Sequence, residues 1–77
     1  MKLWNLKEKQ KAQILSFSSE MDGQYLSRIR ELGFSETALI ECIKRIPFGG
    51  PRVYQIGDSV FSITEDIAGK IEIEGIA

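Results

Sequence analysis

The segment that most constrains the fold of this chain is GQYLSRIRELGF, from Gly23 to Phe34. Its apolar residues Tyr25, Ile29 and Leu32 fall at positions i, i+4 and i+7, which is the spacing of a short amphipathic helix. The residues between them are mostly charged or polar and are expected to face solvent. The pattern therefore predicts one helix from Gly23 to Leu32, packed on a core through a single face.

Both ends of this helix carry the expected stop and start signals. Asp22 lies where an N-cap residue accepts hydrogen bonds from free backbone N–H groups. Gly33 lies at C′, where a left-handed conformation satisfies the last carbonyl groups, and Phe34 at C″ is placed to contact Ile29. A helix this short is not stable alone in water, so we expect it to dock on a sheet.

The rest of the chain reads as short strands separated by turns. Gly57 and Asp58 predict a tight hairpin, because Gly tolerates the positive φ that such a turn requires. One further helical turn is predicted near Ile67, with Thr64 as its cap. Spacing and turn signals together predict a mainly β fold, a small partly open barrel of about five strands closed by the helix. The predicted strands are Ala12–Phe17, Leu39–Ile46, Val53–Ile56, Val60–Ile63 and Lys70–Glu74.

Alternation predicts which side chains share a face in the first two strands. The first strand is expected to place Leu15 and Phe17 on one face and Ala12 and Ile14 on the other. The second is expected to place Ile40 and Cys42 on one face and Glu41 and Arg45 on the other. The apolar opening, formed by Leu3, Trp4 and Leu6, fits either a short extended segment or a turn of helix.

Composition limits the chemistry that this chain can perform. Its 77 residues predict one domain, 1–77, with ten basic and eleven acidic residues, one cysteine and no histidine. The net charge of −1 gives no electrostatic reason to expect nucleic acid or an anionic membrane as partner. No apolar run approaches the roughly 20 residues of a membrane-spanning helix, and a soluble, cytoplasmic protein is expected.

The residue types needed for catalysis or for a transition-metal site are scarce. A hydrolase nucleophile needs a neighbouring base, and zinc or related metals need clustered cysteine and histidine. Cys42 is therefore predicted to be a small buried hydrophobe. A hard cation could find oxygen ligands among the carboxylates, although solvated side chains and helix caps explain them better; these are Glu20, Asp22, Glu65 and Asp66. We expect no enzyme activity, no cofactor and no dedicated metal site.

The loop IPFGGP, from Ile46 to Pro51, holds the most distinctive surface candidate. Its glycines lack the Lys and Ser or Thr and the following helix of a phosphate-binding loop, so they predict a turn. Phe48, between residues that fix the backbone, is either displayed as an anchor for another protein or folded over its own core. Basic side chains form a candidate cationic patch, for which a solvated, charge-balanced face is the alternative; they are Arg28, Arg30, Lys44, Arg45 and Arg52.

In their order and spacing, these elements resemble the FeoA family. Three features carry the resemblance: RIRELGF (Arg28–Phe34) at the helix end, IPFGGP at the family's Pro-x-Gly-Gly-Pro loop, and Gly57 in the hairpin. Leu3, Leu6, Ala68, Ile71 and Ile73 fit the same pattern. The chain departs from it in two turns, with Glu36 and Thr37 in place of a Pro-Gly turn and Lys9 and Gln10 in place of a turn containing Gly.

The resemblance implies an SH3-like barrel and a non-enzymatic accessory role in ferrous iron uptake, beside the membrane transporter FeoB. It leads us to expect a module that binds the cytosolic part of FeoB through the helix outer face and the Phe48 loop. The oligomeric state stays open, a homo-oligomer included. A metal-responsive regulatory domain that binds iron or manganese is the alternative, and an RNA-binding barrel is disfavoured by the charge. The expected contact residues are Arg28, Arg30, Phe48, Gly49, Gly50, Pro51 and Arg52.

Overall fold

The computed structural model describes residues 1–76, which form one five-stranded antiparallel sheet with the order β4-β3-β2-β1-β5. A 3-10 turn, Leu3–Asn5, precedes the first strand. The predicted content of about five strands, one helix and a late helical turn is confirmed. The elements are β1 (Lys11–Phe17), α1 (Gly23–Glu31), β2 (Leu39–Arg45), β3 (Arg52–Ile56), β4 (Ser59–Ile63), α2 (Glu65–Ala68) and β5 (Ile71–Gly75).

Helix α1 begins and ends as its sequence predicts. The Asp22 carboxylate accepts a hydrogen bond of 3.0 Å from the Gln24 backbone N–H. At the other end, Gly33 has φ +116°, and the Phe34 N–H donates to the Ile29 carbonyl while the Gly33 N–H donates to Arg30. This pair of bonds is the Schellman motif, and it turns the chain so that Phe34 enters the core.

The contact face of α1 is narrower than predicted. Ile29 is buried and Tyr25 is half-buried, but Leu32 is 52% exposed. Leu32 is the C-cap of a helix that ends at Glu31, so the chain is already turning away from the face that Ile29 defines. Phe34 takes its place in the core, with its ring 4.8 Å from that of Phe61 in an edge-to-face arrangement.

A β-bulge in β1 corrects the predicted faces of that strand. Ile14 pairs with Ile73 of β5 and Phe17 pairs with Ile71, so the register shifts by one residue at Leu15. Phe17 thereby returns to the inner face, where it packs on the core, while Leu15 is left 45% exposed. The extra residue breaks the simple alternation on which the prediction rested.

A second bulge, in β2, corrects the prediction for Arg45. Cys42 pairs with Tyr54 of β3, but Lys44 pairs with Val53, so Ile43 has no partner across the ladder. Arg45 then pairs with Arg52 and shares the face of the buried Cys42 and Tyr54, instead of the opposite one.

The inward-facing side chains of β2 and β3 hold the first residues of the chain. The Tyr54 hydroxyl donates to the Leu3 carbonyl at 3.2 Å, and Arg52 donates to the Trp4 carbonyl. The Arg45 guanidinium donates to the Leu6 carbonyl at 2.8 Å. Leu3 and Leu6 are fully buried as a result. The apolar opening is therefore a docked 3-10 turn that closes one side of the core.

The two turns that depart from the FeoA pattern keep a backbone suited to glycine. Lys9 has φ +66° and Thr37 has φ +74°, both in the left-handed region. An L-residue in that region costs roughly 1–2 kcal/mol. The departures therefore add strain in the turns and leave the fold intact.

Of three smaller predictions, two are confirmed and one is wrong. The hairpin is confirmed, since Ile56 pairs with Ser59 across Gly57 and Asp58. Thr64 precedes α2 but makes no side-chain cap, so that prediction is wrong. Cys42 is confirmed as a buried core residue.

Candidate functional site

The loop between β2 and β3 displays Phe48 completely. Phe48 is 104% exposed, the largest exposure among the large apolar residues of the described chain. Phe48 and Gly49 have φ of +64° and +75°, and the Gly50 N–H faces the Pro47 carbonyl at 3.4 Å. Two consecutive positive φ values at the centre of a four-residue turn are the mark of a type I′ turn. Phe48 is therefore exposed and is not folded over its own core.

The backbone at Phe48 is strained, and no core contact of its side chain offsets that strain. A bulky L-residue with φ near +60° is a genuine outlier, since its side chain crowds the backbone. Its ring also makes no core contact that would offset this cost. Because strained backbone positions cluster at functional sites, Phe48 is a candidate functional residue.

The two glycines shape the loop for different reasons. Gly49 has open space around it but requires its positive φ. A Cβ at Gly50 would meet Cγ2 of Ile46 at 2.8 Å, which real Cβ atoms essentially never do. Ile46 therefore folds against the loop, 38% exposed, and Pro51 is half-buried beside β3. Pro47 and Gly49 are also exposed, but Phe48 is the most exposed of the large apolar side chains of the loop.

The base of the loop is the Arg45–Arg52 pair. Arg52 lies with its guanidinium carbon 3.7 Å from the centroid of the Trp4 ring, a cation–π contact. The backbone N–H of Arg45 donates to the Glu8 carboxylate at 2.8 Å. Arg52, predicted as a partner contact, therefore supports the loop by joining it to the N-terminal turn.

The helix-face arginines lie elsewhere. Arg28 is exposed, while Arg30 is paired with Glu36 at 3.0 Å and lies 5.3 Å above the ring of Phe17. Helix α1 joins the end of β1 to the start of β2, whereas the Phe48 loop joins the end of β2 to the start of β3. Gly33, just after α1, also approaches Ile56 at the far end of β3. The two predicted contact surfaces thus occupy opposite ends of β2 and β3.

Two lysines that the sequence did not point to lie on a turn packed against β2, near the base of the loop. The Lys9 N–H donates to the Cys42 carbonyl at 2.7 Å, which packs the turn Lys7–Gln10 along β2 toward Arg45. Lys7 and Lys9 are both exposed there. Only the sheet register reveals this placement, because more than 30 residues of chain separate the turn from the loop.

Two shallow grooves lie outside the loop. One, of about 230 Å³, crosses the outer sheet face between Lys11 and Gly57, and the other, of about 220 Å³, lies beside Arg28 and Tyr25. Residues 1–76 contain no group of three or more Cys, His, Asp or Glu side chains placed to hold a metal ion. No helix in that part of the chain has the length and apolar character to cross a membrane.

The buried thiol and phenol are placed for packing. Burial raises the pKa of the Cys42 thiol above its ordinary value, against the smaller opposing effects of Arg45 and Arg52. Burial also raises the pKa of Tyr54 to about 12. Both groups are therefore neutral near pH 7, and the Cys42 thiol is a poor nucleophile there.

Solved structures show where this fold recurs. Iron(II) transport protein A from Clostridium thermocellum superposes with a TM-score of 0.88 at 29% identity, covering 99% of this chain and 46% of that one. FeoA from Stenotrophomonas maltophilia, solved with zinc and described as a prokaryotic SH3 domain protein, gives a TM-score of 0.82 at 24% identity and covers 96% and 89%. The chain thus spans about half the length of the Clostridium protein.

A manganese-dependent transcriptional repressor shares the fold alone, with a TM-score of 0.86 at 18% identity, covering 99% of this chain and 41% of the repressor. No curated protein matches the sequence. The predicted SH3-like architecture is confirmed by these superpositions. The family model for the FeoA domain matches residues 1–75. The chain therefore belongs to the FeoA family, which is associated with ferrous iron transport.

Proposed function

We propose that this protein is a non-enzymatic, cytoplasmic accessory protein of ferrous iron uptake that binds the cytosolic part of a FeoB-type transporter through the Phe48 loop. Membership of the FeoA family supports the link to iron transport. The single observation that carries the docking surface is Phe48, fully exposed on a turn whose backbone strain it does nothing to offset. An exposed aromatic side chain of this kind contributes favourable free energy only when a binding partner buries it.

The direct test is binding of purified protein to the soluble cytosolic part of FeoB. Phe48→Ala removes the anchor, and a central aromatic anchor is typically worth about 2 kcal/mol or more, so we expect affinity to fall about 30-fold. Val60→Ala is the matched control, because Val60 is a similarly isolated apolar residue, 61% exposed on β4. Equal affinities for wild type and Phe48→Ala would refute the proposed docking surface.

Phe48→Gly separates binding from folding. Relief of the left-handed strain gains roughly 1–2 kcal/mol, and the greater entropy of unfolded glycine returns about 0.5–1 kcal/mol of it. We therefore expect this variant to be more stable than wild type in urea unfolding yet to lose FeoB binding. A variant that loses both stability and binding would mean that Phe48 is a structural residue.

The helix face is a second, separate candidate surface. Arg28 lies at the far end of β2 and β3 from Phe48, so only a partner that spans both ends would contact both. Arg28→Glu tests this directly: a loss comparable to that of Phe48→Ala would extend the interface over α1. In cells, unchanged ferrous iron uptake after deletion of the gene would count against the accessory role itself.

The metal-responsive alternative lacks a supporting observation of this kind. The repressors resemble this chain in fold at 18% identity, which says nothing about shared ligands. Calorimetric titration with ferrous or manganous ion separates the two functions, since tight stoichiometric binding would favour a sensor.

A further inference from the structure

We propose that the Phe48 loop recognises an acidic protein surface, an apolar pocket rimmed by carboxylates. This inference rests on the proposed function and specifies the partner's chemistry. Although the chain as a whole carries a net charge of −1, the end of the molecule around Phe48 is basic. Its charged residues, placed by the register of β2 and β3 and by the adjoining turns, are Lys7, Lys9, Lys44, Arg45 and Arg52, with Glu8 and Glu65 as the acidic ones. Asp66, beside Glu65 in α2, is paired with Lys70.

The cations at this end are of two kinds, half-buried arginines fixed by hydrogen bonds and exposed lysines. Arg45 and Arg52 are fixed beneath the loop by hydrogen bonds to the carbonyls of the N-terminal turn. Lys7, Lys9 and Lys44 are exposed, and none of the three forms an ion pair within the described residues.

The two carboxylates at this end offset only part of the charge of the five cations. Glu8 accepts a hydrogen bond from the backbone N–H of Arg45, which holds its negative charge at the base of the loop. Glu65 is at the start of α2, just beyond Ile63, which pairs with Arg52. The rim therefore keeps an excess of positive charge around a single projecting aromatic ring.

The opposite end of the molecule has the reverse balance. Around α1 and the β3–β4 hairpin, five carboxylates outnumber two arginines, one of which is already paired with Glu36. They are Glu20, Asp22, Glu31, Glu36 and Asp58, against Arg28 and Arg30. Lys70, whose carbonyl accepts from the Ser18 N–H, is paired with Asp66 and leaves this balance unchanged. A molecule polarised in this way is oriented during approach to an acidic surface, so that the Phe48 end arrives first.

A protein pocket fits this surface better than a bilayer does. Of the two large apolar side chains in the loop, Phe48 is fully exposed, whereas Ile46 packs against Gly50. Stable membrane attachment next to a basic patch still needs a larger buried apolar area than one ring supplies, such as an acyl chain or the apolar face of a helix. One ring on a turn of fixed geometry is instead suited to a complementary cavity, with the lysines meeting carboxylates at its rim.

The test measures association and dissociation rates with the cytosolic part of FeoB as salt is varied. Between about 0.05 M and 0.5 M NaCl, screening should slow association of the wild type about tenfold. The double variant Lys9→Glu/Lys44→Glu should associate about tenfold more slowly at low salt and lose most of that salt dependence. Dissociation should change little, because rim charges act mainly on the encounter.

A control variant adds negative charge away from the loop. Ser19 and Ser35 are exposed, form no side-chain hydrogen bonds in the described structure, and flank α1. Ser19→Glu/Ser35→Glu introduces two negative charges, half the change made by the lysine double variant, and should leave association within about twofold of wild type. Single Lys44→Glu, which lowers the net charge by the same two units, gives the like-for-like comparison.

The outcomes separate this inference from the proposed function. Binding that depends on Phe48 but not on salt or on the lysines would overturn the acidic surface and leave the docking loop in place. Absence of any binding to FeoB would remove both. Phe48-dependent sedimentation with phosphatidylglycerol vesicles, without binding to FeoB, would show that the acidic surface is a lipid headgroup layer and overturn the inference.

Discussion

Replacing Thr37 by glycine should make the protein more stable, although the substitution removes a side chain. Thr37 has φ +74° and is β-branched, so its side chain crowds the backbone in a region that such residues rarely adopt. The backbone cannot relax, because the Thr37 N–H donates to the Ile14 carbonyl at 2.8 Å and its carbonyl accepts from the Gln13 side chain at 3.1 Å. The strain is thereby built into the turn before β2.

The change in the free energy of unfolding caused by Thr37→Gly is the sum of two opposing contributions. Removing the left-handed penalty gains roughly 1–2 kcal/mol, and the extra freedom of glycine in the unfolded chain costs about 0.5–1 kcal/mol. The exposed Thr37 side chain makes no hydrogen bond that would be lost. We expect a net gain of about 0.5–1 kcal/mol in the free energy of unfolding, or about 3–6 °C in Tm for a domain of this size.

Urea unfolding followed by Trp4 fluorescence measures this gain. Ser35→Gly is the matched control, since Ser35 is exposed in the same turn and its φ is negative. It has no strain to release and should lose about 0.5–1 kcal/mol. If Thr37→Gly were destabilising by the same amount as Ser35→Gly, the account of strain in this turn would be wrong.

Two further predictions concern the core and the helix end. Because burial raises the pKa of Tyr54 to about 12, against about 10 in an unfolded chain, the contribution of Tyr54 to stability should be constant below pH 10 and fall by about 1.4 kcal/mol per pH unit from there to pH 12. The buried Cys42 thiol, whose pKa is also raised, adds to the alkaline loss in wild type and in Tyr54→Phe alike. In Tyr54→Phe this alkaline slope should be shallower, which circular dichroism can follow. Gly33→Ala should cost about 1–2 kcal/mol, because φ +116° strains alanine, whereas Gly23→Ala in the same helix should be near neutral; equal effects would contradict the Schellman assignment.

The sequence predicted α1 well because its signals are local. The Asp22 cap, the apolar spacing and the Gly33 stop all act within a dozen residues of one another, and the structure shows both caps. The hairpin at Gly57 and Asp58 was predictable for the same reason.

The faces of β1 and β2 were not predictable from alternation. Each strand contains one bulged residue, Leu15 or Ile43, after which the inner and outer positions exchange. Both bulged residues are apolar, so composition gives no warning of the shift. A bulge is decided by how a strand pairs with its neighbours, and that information is not contained in the strand itself.

The turn that carries Phe48 was predictable, and the surroundings of Phe48 were not. The Gly and Pro residues around Phe48 indicated a turn, but no sequence pattern specified the positive φ of Phe48 or the exposure of its side chain. The grouping of Arg52 with Arg28 failed for a different reason: both are basic, yet topology places them at opposite ends of the barrel. Lys7 and Lys9 reach the loop only through long-range pairing.

The attachment of the first residues to β2 and β3 has a consequence for the order of folding. Contacts of Leu3, Trp4 and Leu6 with Tyr54, Arg52 and Arg45 close chain segments of 51, 48 and 39 residues. Closing such long segments is entropically unfavourable until the strands that bind the amino-terminal turn have formed. We therefore expect the β2–β3 ladder to form before this turn docks on it. Trp4 fluorescence therefore reports on this late step. During refolding, it should change after the circular dichroism signal of the sheet has reached its final value.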